Sequence, residues 1–250
     1  MEKNPEMFRR TTLLIGDAGL EKLQRSHVAV IGLGGVGSYV VEALARAGVG
    51  FLRVVDHDRY APSNLNRQLY ALVDTIGMLK SEVVKERIQR INPGIKVDSR
   101  AEFVTEANLS SIITGDLDYV VDAIDTVSSK IGMIRYCLEQ KMKIVSCMGT
   151  GNRLDPSGFR FSDISKTHTC PLARAVRSGL RKIGIDHGVE VLFSTIPPLH
   201  PLVDQEQQKE EGELSGGKQA PGSISFLPSI AGLLLAGLVI NRLLATTDPV

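Results

Sequence analysis

The chain has no tryptophan, only three cysteines and a formal charge close to zero, +1 at pH 7. The missing tryptophan excludes nothing. Cys137, Cys147 and Cys170 are too few and too scattered for a disulfide framework, which points to a reducing cytoplasm. No CxxC pair occurs, so one chain cannot assemble a four-thiolate zinc site, and no zinc is expected. The near-neutral balance argues against nucleic-acid binding over the whole surface, though not against a local basic patch. The opening MEKNPEMFRR carries acids and no apolar run, which speaks against a secretory signal. A membrane span needs about 20 apolar residues, and 224–240, interrupted by Pro228, only approaches that. A final strand (Ser223–Leu227) and a buried helix (Ile230–Leu244) account for the same residues, and membrane association through 224–244 is the less favoured reading.

What is present suits one α/β domain: 250 residues, 43% of them hydrophobic, are enough for a sizeable core. The organising stretch is Val28–Asp58, VAVIGLGGVGSYVVEALARAGVGFLRVVDHD. Val28–Ile31 is short, apolar and β-branched, as a strand buried on both faces should be. Gly32, Gly34, Gly35 and Gly37 then allow a tight turn and close approach to a phosphate, and the following helix would offer its N-terminus to that phosphate. Asp56 lies nineteen residues beyond Gly37, where a nucleotide-binding βαβ unit places the carboxylate that holds ribose hydroxyls.

Elsewhere the pattern keeps alternating. Phe8–Leu23 reads as a helix broken near Gly16, with Arg9 and Arg10 as solvated charge. Ser63–Gln68 is a polar loop, 77–80 a helix entry, and Ser81–Ile91 an amphipathic helix ended by Asn92-Pro93-Gly94. Strands are expected at Lys96–Ser99, Tyr119–Ala123, Ile144–Met148, Phe159–Asp163 and Val189–Thr195, and helices at Thr105–Ile113 and Ser128–Gln140. This implies a Rossmann-like, mostly parallel sheet with helices on both faces and sites at the carboxyl ends of strands, where Asp56, Asp58 and Asp125 fall. After Pro171, Leu172, Val176, Leu180 and Ile183 recur on one side of a helix and Arg174, Arg177 and Arg181 on the other, with Lys166 just before it. A solvated face is normally mixed in sign, so a stripe of one sign favours a polyanion contact. Residues 204–220 read as a mobile loop.

The candidate site therefore collects Gly32–Gly37, Asp56, Asp58, Asn64, Arg67, Gln68, Lys80 and Asp125. A dehydrogenase would need the glycines and Asp56 but has no use for an Arg, a Lys and a further acid. An ATP-using enzyme does: Arg67 and Lys80 suit the phosphates, and Asp125 suits a Mg²⁺ held between phosphate oxygens. Cys170, a thiol ahead of Pro171 among basic residues, has the setting that lowers a thiol pKa. A covalent role for it stands beside the reading of an incidental small residue in a mobile loop. Cys137 and Cys147 read as buried small hydrophobes. His57 is given no role, since strand alternation would turn it away from Asp56.

GLGGVG at 32–37, DHD at 56–58, SNLNRQ at 63–68, the 77–80 stretch and DAID at 122–125 resemble, in order and spacing, the ubiquitin-activating-like (E1-like) adenylating enzymes. The resemblance covers a nucleotide-binding core of roughly 8–155 and the final strand and helix at 223–245, with 156–222 as a substrate-side insertion. It implies ATP·Mg²⁺-dependent adenylation of a carboxylate by a homodimer. Asp56 would then bind ribose and Arg67 and Lys80 the phosphates, while Asp125 takes the metal. Arg10 would reach the phosphates from the other subunit, and Asn64 and Gln68 would order the loop or touch the nucleotide. Carrier-protein activators in this superfamily commonly have two CxxC pairs, and this chain has none. Its KTHTCPLARAVRSGLRK stretch instead resembles the branch that acts on tRNA, the tRNA threonylcarbamoyladenosine dehydratases. That branch implies a tRNA substrate modified at position 37, contacted here by Lys166, Arg174, Arg177 and Arg181, and leaves room for a sulfur-handling protein partner. Activation of a small carrier protein is the runner-up, and a nucleotide-sensing domain without turnover a third reading.

Overall fold

The computed structural model describes residues 6–200 and 221–245. Seven strands form one sheet: β1 (His27–Ile31), β2 (Phe51–Val55), β3 (Lys96–Arg100), β4 (Tyr119–Asp122), β5 (Ile144–Cys147), β6 (Phe159–Asp163) and β7 (Glu190–Ser194). Their order is β3-β2-β1-β4-β5-β7-β6. Every pairing is parallel except β6 against β7 at the edge. The helices are α1 (Arg9–Arg25), α2 (Gly37–Ala47), α3 (Lys80–Ile91), α4 (Leu109–Ile112), α5 (Val127–Glu139), α6 (Pro171–Lys182) and α7 (Phe226–Ala245).

Apolar runs on the strands place side chains on both faces, and each face has its own core. Val28 and Val30 of β1 pack with α2, α3 and α7. Ala29 and Ile31 pack on the opposite side with α4, α5 and α6. The chain reverses direction across the sheet between β1 and β4, so a crevice opens at their carboxyl ends, where ligands bind in sheets of this kind.

The kink expected near Gly16 is present: this glycine has φ 69° and ψ 173° inside α1. Three expectations need correction. Ser223–Leu227 is no strand; 221–225 is irregular and α7 begins at Phe226. Ile224, Phe226 and Leu227 are strand-like by type, but Pro228 sits in the first turn of a helix, where its missing N–H costs nothing. The helix expected over Thr105–Ile113 shrinks to Leu109–Ile112, with Asn108 accepting the Thr105 N–H in a turn before it. Ile183, assigned to the apolar side of its helix, is 44% exposed just beyond the end of α6. The loop expected at 204–220 lies outside the described residues.

α7 is the one described helix long and apolar enough to cross a membrane. One side of it is spent on the fold: Leu227, Ala231, Leu235, Ala236 and Val239 are buried. Gly232 lets it come so close to α2 that a side chain there would lie 2.4 Å from the Val36 carbonyl oxygen.

Candidate active site

A cavity of about 740 Å³ lies over the carboxyl ends of the parallel strands. Its first wall is the glycine turn between β1 and α2. Gly32 adopts φ 89°, and a Cβ there would sit 2.8 Å from the Ala123 backbone; one at Gly37 would lie 1.8 Å from the Gly32 oxygen. The turn therefore tolerates no side chain at either position. The amides of Gly35 and Val36 donate to no backbone acceptor among the described residues, which leaves them for an anion at the start of α2. Pro228 of α7 backs the turn, 3.1 Å from where a Cβ on Gly35 would be.

Asp56 is buried at the end of β2 and fastens the turn. Its Oδ2 accepts the Leu33 N–H at 2.7 Å and its Oδ1 the Asp58 N–H at 2.8 Å. Each oxygen keeps a further lone pair for a hydroxyl. Lys80, the first residue of α3, is buried with its ammonium 2.8 Å from Asp58 Oδ2. Asp58 is half exposed and also lies 3.2 Å from His57 Nε2. The ligand atoms of Asp56, His57 and Asp58 all fall within 4.8 Å of one another, and His57 rests edge-on against Phe103. His57 is thus part of the wall, contrary to the sequence reading. β2 ends at Val55, so strand alternation does not extend to residue 57.

The polar loop folds as expected. Asn64 accepts the Ala61 N–H at 3.1 Å, which makes it a loop-ordering residue, and Asn66 ties the loop to Ser223 through its carbonyl at 3.0 Å. Arg67 is held by Ser63 O at 2.8 Å and Asn66 Oδ1 at 2.9 Å, beside Gly35. Gln68 is buried in the wall, and its Oε1 has no partner among the described residues. Asp125 is exposed in the cavity and makes no hydrogen bond or ion pair among the described residues. An exposed carboxylate in the same cavity as the glycine turn is a hard oxygen donor of the kind that Mg²⁺ takes. Arg10 is exposed on α1 and does not line the cavity, so the chain does not bring it to the site by itself.

Two sets of residues escaped sequence reasoning. Beneath the loop that carries Asp125, Lys130 is completely buried, 2.8 Å from Asp122 Oδ2, 3.1 Å from Ser146 Oγ and 2.9 Å from Cys147 O. Ser146 donates to the same Asp122 oxygen at 2.6 Å. This network ties the ends of β4 and β5 to α5, and all three ammonium protons have acceptors. The second is Arg153, 5% exposed, whose Nε donates to Ile196 O at 3.1 Å and whose Nη1 donates to Gly149 O and Gly151 O at 3.1 and 3.0 Å. Its Nη2 has no partner among the described residues.

Cys170 precedes α6 in the cavity wall, 2% exposed and packed near Gly149 and Leu172. Such burial contradicts an incidental place in a mobile loop. Cys137 and Cys147 are buried as expected, and burial pushes both thiols up to about 12. On the outer side of α6, Arg174, Arg177, Arg181, Ser178 and Lys182 line a shallow groove of about 400 Å³. Arg177 is partly engaged, donating to Thr167 O at 2.8 Å and to its hydroxyl. Lys166 is exposed in the preceding turn and is not part of the groove.

The model of the ThiF family matches residues 8–250. The chain belongs to the ThiF family. Within it, the chain is similar to a tRNA threonylcarbamoyladenosine dehydratase of Bacillus subtilis, 45% identical over 241 residues that cover 95% of this chain and 94% of that one. Among solved structures it matches the Escherichia coli tRNA N6-threonylcarbamoyladenosine dehydratase TcdA in complex with ATP. The TM-score is 0.85 and the identity 32%, covering 96% of this chain and 94% of the other. A sulfur carrier protein adenylyltransferase of Thermus thermophilus is 37% identical, but over only 127 residues, half of this ThiF-family chain.

Proposed function

We propose that this ThiF-family chain is an ATP-dependent enzyme that dehydrates N6-threonylcarbamoyladenosine at position 37 of tRNA to its cyclic form. The observation that carries the reading is a single cavity lined by a glycine turn, Asp56, Arg67, Lys80 and Asp125. The likeness to the Bacillus subtilis dehydratase also extends over nearly the whole chain, whereas the likeness to the Thermus thermophilus sulfur carrier protein adenylyltransferase covers half of it.

A carboxylate is a poor electrophile; attack by one of its oxygens on the α-phosphorus of ATP forms an O–P bond, breaks the bond to pyrophosphate and leaves an acyl-adenylate. A nucleophilic atom of the tethered carbamoyl group then attacks the acyl carbon. AMP departs and a five-membered ring closes. The net result is loss of water from the nucleoside as ATP becomes AMP and pyrophosphate. Both partners of the second step belong to one molecule, so proximity supplies much of its rate.

In this reading Asp56 accepts the ribose hydroxyls, and the free amides at Gly35 and Val36 receive phosphate oxygens. Arg67 and Lys80 balance the charge of the departing pyrophosphate, Lys80 exchanging its contact with Asp58 for phosphate. Asp125 would hold Mg²⁺, which supplies charge neutralisation between phosphate oxygens. Gln68 offers its unpaired oxygen to the nucleotide, and Arg174 and Arg181 meet RNA phosphates. A second copy of the chain would supply Arg10. The exposed Leu13 and Leu14 beside it on α1, 82% and 88% exposed, support such a dimer. Three free thiols and an RNA substrate support a cytoplasmic location. A sulfur-handling partner stays compatible with this arrangement.

Mass spectrometry of tRNA nucleosides from cells lacking the protein tests the function. The cyclic nucleoside should disappear and its open form accumulate; a persisting cyclic form would overturn the proposal. Pyrophosphate exchange that depends on a carrier protein rather than on modified tRNA would return the runner-up.

A further inference from the structure

The cavity is longer than the nucleotide machinery accounts for. Glycine turn, Asp56, Lys80 and Asp125 belong to the ends of β1, β2 and β4. Beyond them the cavity continues over β5 and β7, lined by Met148, Gly149, Arg153, Cys170, Leu172 and Pro198. Beside Thr150 and Asn152, this second arm contains one buried guanidinium. Three carbonyls fix its Nε and Nη1, while Nη2 has no partner among the described residues. A buried, unpaired charged donor is costly, and an oxyanion supplied by a ligand would remove the cost.

The same arm is joined to the arginine groove by a single rigid element. Cys170 and Leu172, at the start of α6, line the arm; Arg174 and Arg181, further along the helix, line the groove. From Leu172 to Arg181 the helix rises about 14 Å. One helix thus carries residues of the arm at its start and of the groove further along. Sequence-specific contacts to single-stranded RNA are made by bases turned out of the stack, while phosphate contacts set the register.

Resting on the function proposed above, we propose that the arm over β5 and β7 receives the modified nucleoside turned out of its loop. Arg153 takes an oxygen of the nucleoside's carboxylate there, and the α6 groove holds the flanking phosphates. The other carboxylate oxygen is left to face the nucleotide half of the cavity. Arg153 is thus the residue that distinguishes the modified adenosine from an unmodified one.

The test uses the full-length protein and two RNA stem-loops, one with the threonylcarbamoyl group and one without, each with 2-aminopurine placed 3′ of the target base. Wild-type protein should bind the modified loop at least about tenfold more tightly, the scale of one charge-assisted hydrogen bond. The neighbouring 2-aminopurine should brighten as the target base leaves the stack. Arg153→Gln should lose the preference for the modified loop, and Arg153→Lys should regain part of it, with ATP affinity unchanged in both. ATP affinity also reports folding, and Arg153→Lys carries the test if Arg153→Gln does not fold. An undiminished preference in a variant that still binds ATP, or tight RNA binding by the wild type without brightening, would overturn the inference. If wild-type protein does not convert modified tRNA at all, the function falls, and this inference with it.

Discussion

Asp125 and Arg67 line one cavity and differ in how tightly the fold holds them. Arg67 is pinned by Ser63 and Asn66, whereas Asp125 is unpaired among the described residues. Arg67→Ala and Asp125→Ala should each lower tRNA-dependent pyrophosphate exchange by at least about 10²-fold, the usual effect of removing one group aimed at developing charge. Thermal unfolding should be little changed, since neither side chain fills a core. Lys130 is the opposite case. It is sealed beneath the cavity floor, and removing it leaves the buried Asp122 carboxylate without its cation. Lys130→Met should cost about 3–5 kcal/mol in urea unfolding, and Lys130→Met with Asp122→Leu should recover part of that loss. These two residue types also mark what the sequence can reveal. Glycines and acids at strand ends announce themselves by type and spacing. Lys130 reads as ordinary helix charge, and Arg153 as a loop cation, because nothing local encodes the distant carboxylate or carbonyls that they meet. His57 shows a related limit: a strand's alternation holds only as far as the strand.

At the scale of elements, α2 and α3 are clamped by a carboxylate. Arg87 Nη2 and Arg46 Nε each donate to Glu42 Oε1 at 2.8 Å, and Tyr70 donates to Oε2 at 3.0 Å. Burial by itself would raise the Glu42 carboxyl, but the hydrogen bonds from Arg87, Arg46 and Tyr70 prevail and hold it below its ordinary value. A depressed carboxyl contributes stability that is complete above its unfolded value and is lost as pH falls through its folded one. The stability difference between wild type and Glu42→Gln should therefore be constant above about pH 5 and shrink under acid, as urea unfolding across that range would show. Helix α6 has a different test. Arg174→Gln with Arg181→Gln should weaken tRNA binding and reduce the slope of log K against log salt by about 0.7–0.9 for each RNA phosphate that is no longer neutralised. An unchanged slope would make the stripe a solvated face. Helical spacing reveals this stripe, yet not that Arg177 turns back to Thr167. The strand expected at 223–227 is absent because strand-type residues ahead of a proline fit a helix entry equally well. The sheet itself is legible because buried parallel strands are short, apolar and evenly separated by amphipathic helices.

For the whole molecule, the question is whether one chain makes a complete site. Arg10 lies outside the cavity of its own chain, so a dimer in which each copy lends its arginine predicts complementation. Chains carrying Arg10→Ala and chains carrying Asp125→Ala should each be inactive alone. Mixed and refolded together, they should recover roughly a quarter of wild-type activity, since random pairing makes half the dimers mixed and one of each mixed dimer's two sites is whole. Activity that stays absent, with dimers present by light scattering, would mean that Arg10 acts within its own chain, and an active Arg10→Ala chain would mean that it does not act at all.

The backing of the glycine turn by Pro228 and Gly232 reaches beyond packing. The turn is finished at Gly37, but the helix that seats it spans Phe226–Ala245. A ribosome-bound chain thus carries its phosphate loop long before that loop has a floor. A turn that depends on this backing is complete for a nucleotide once α7 has emerged.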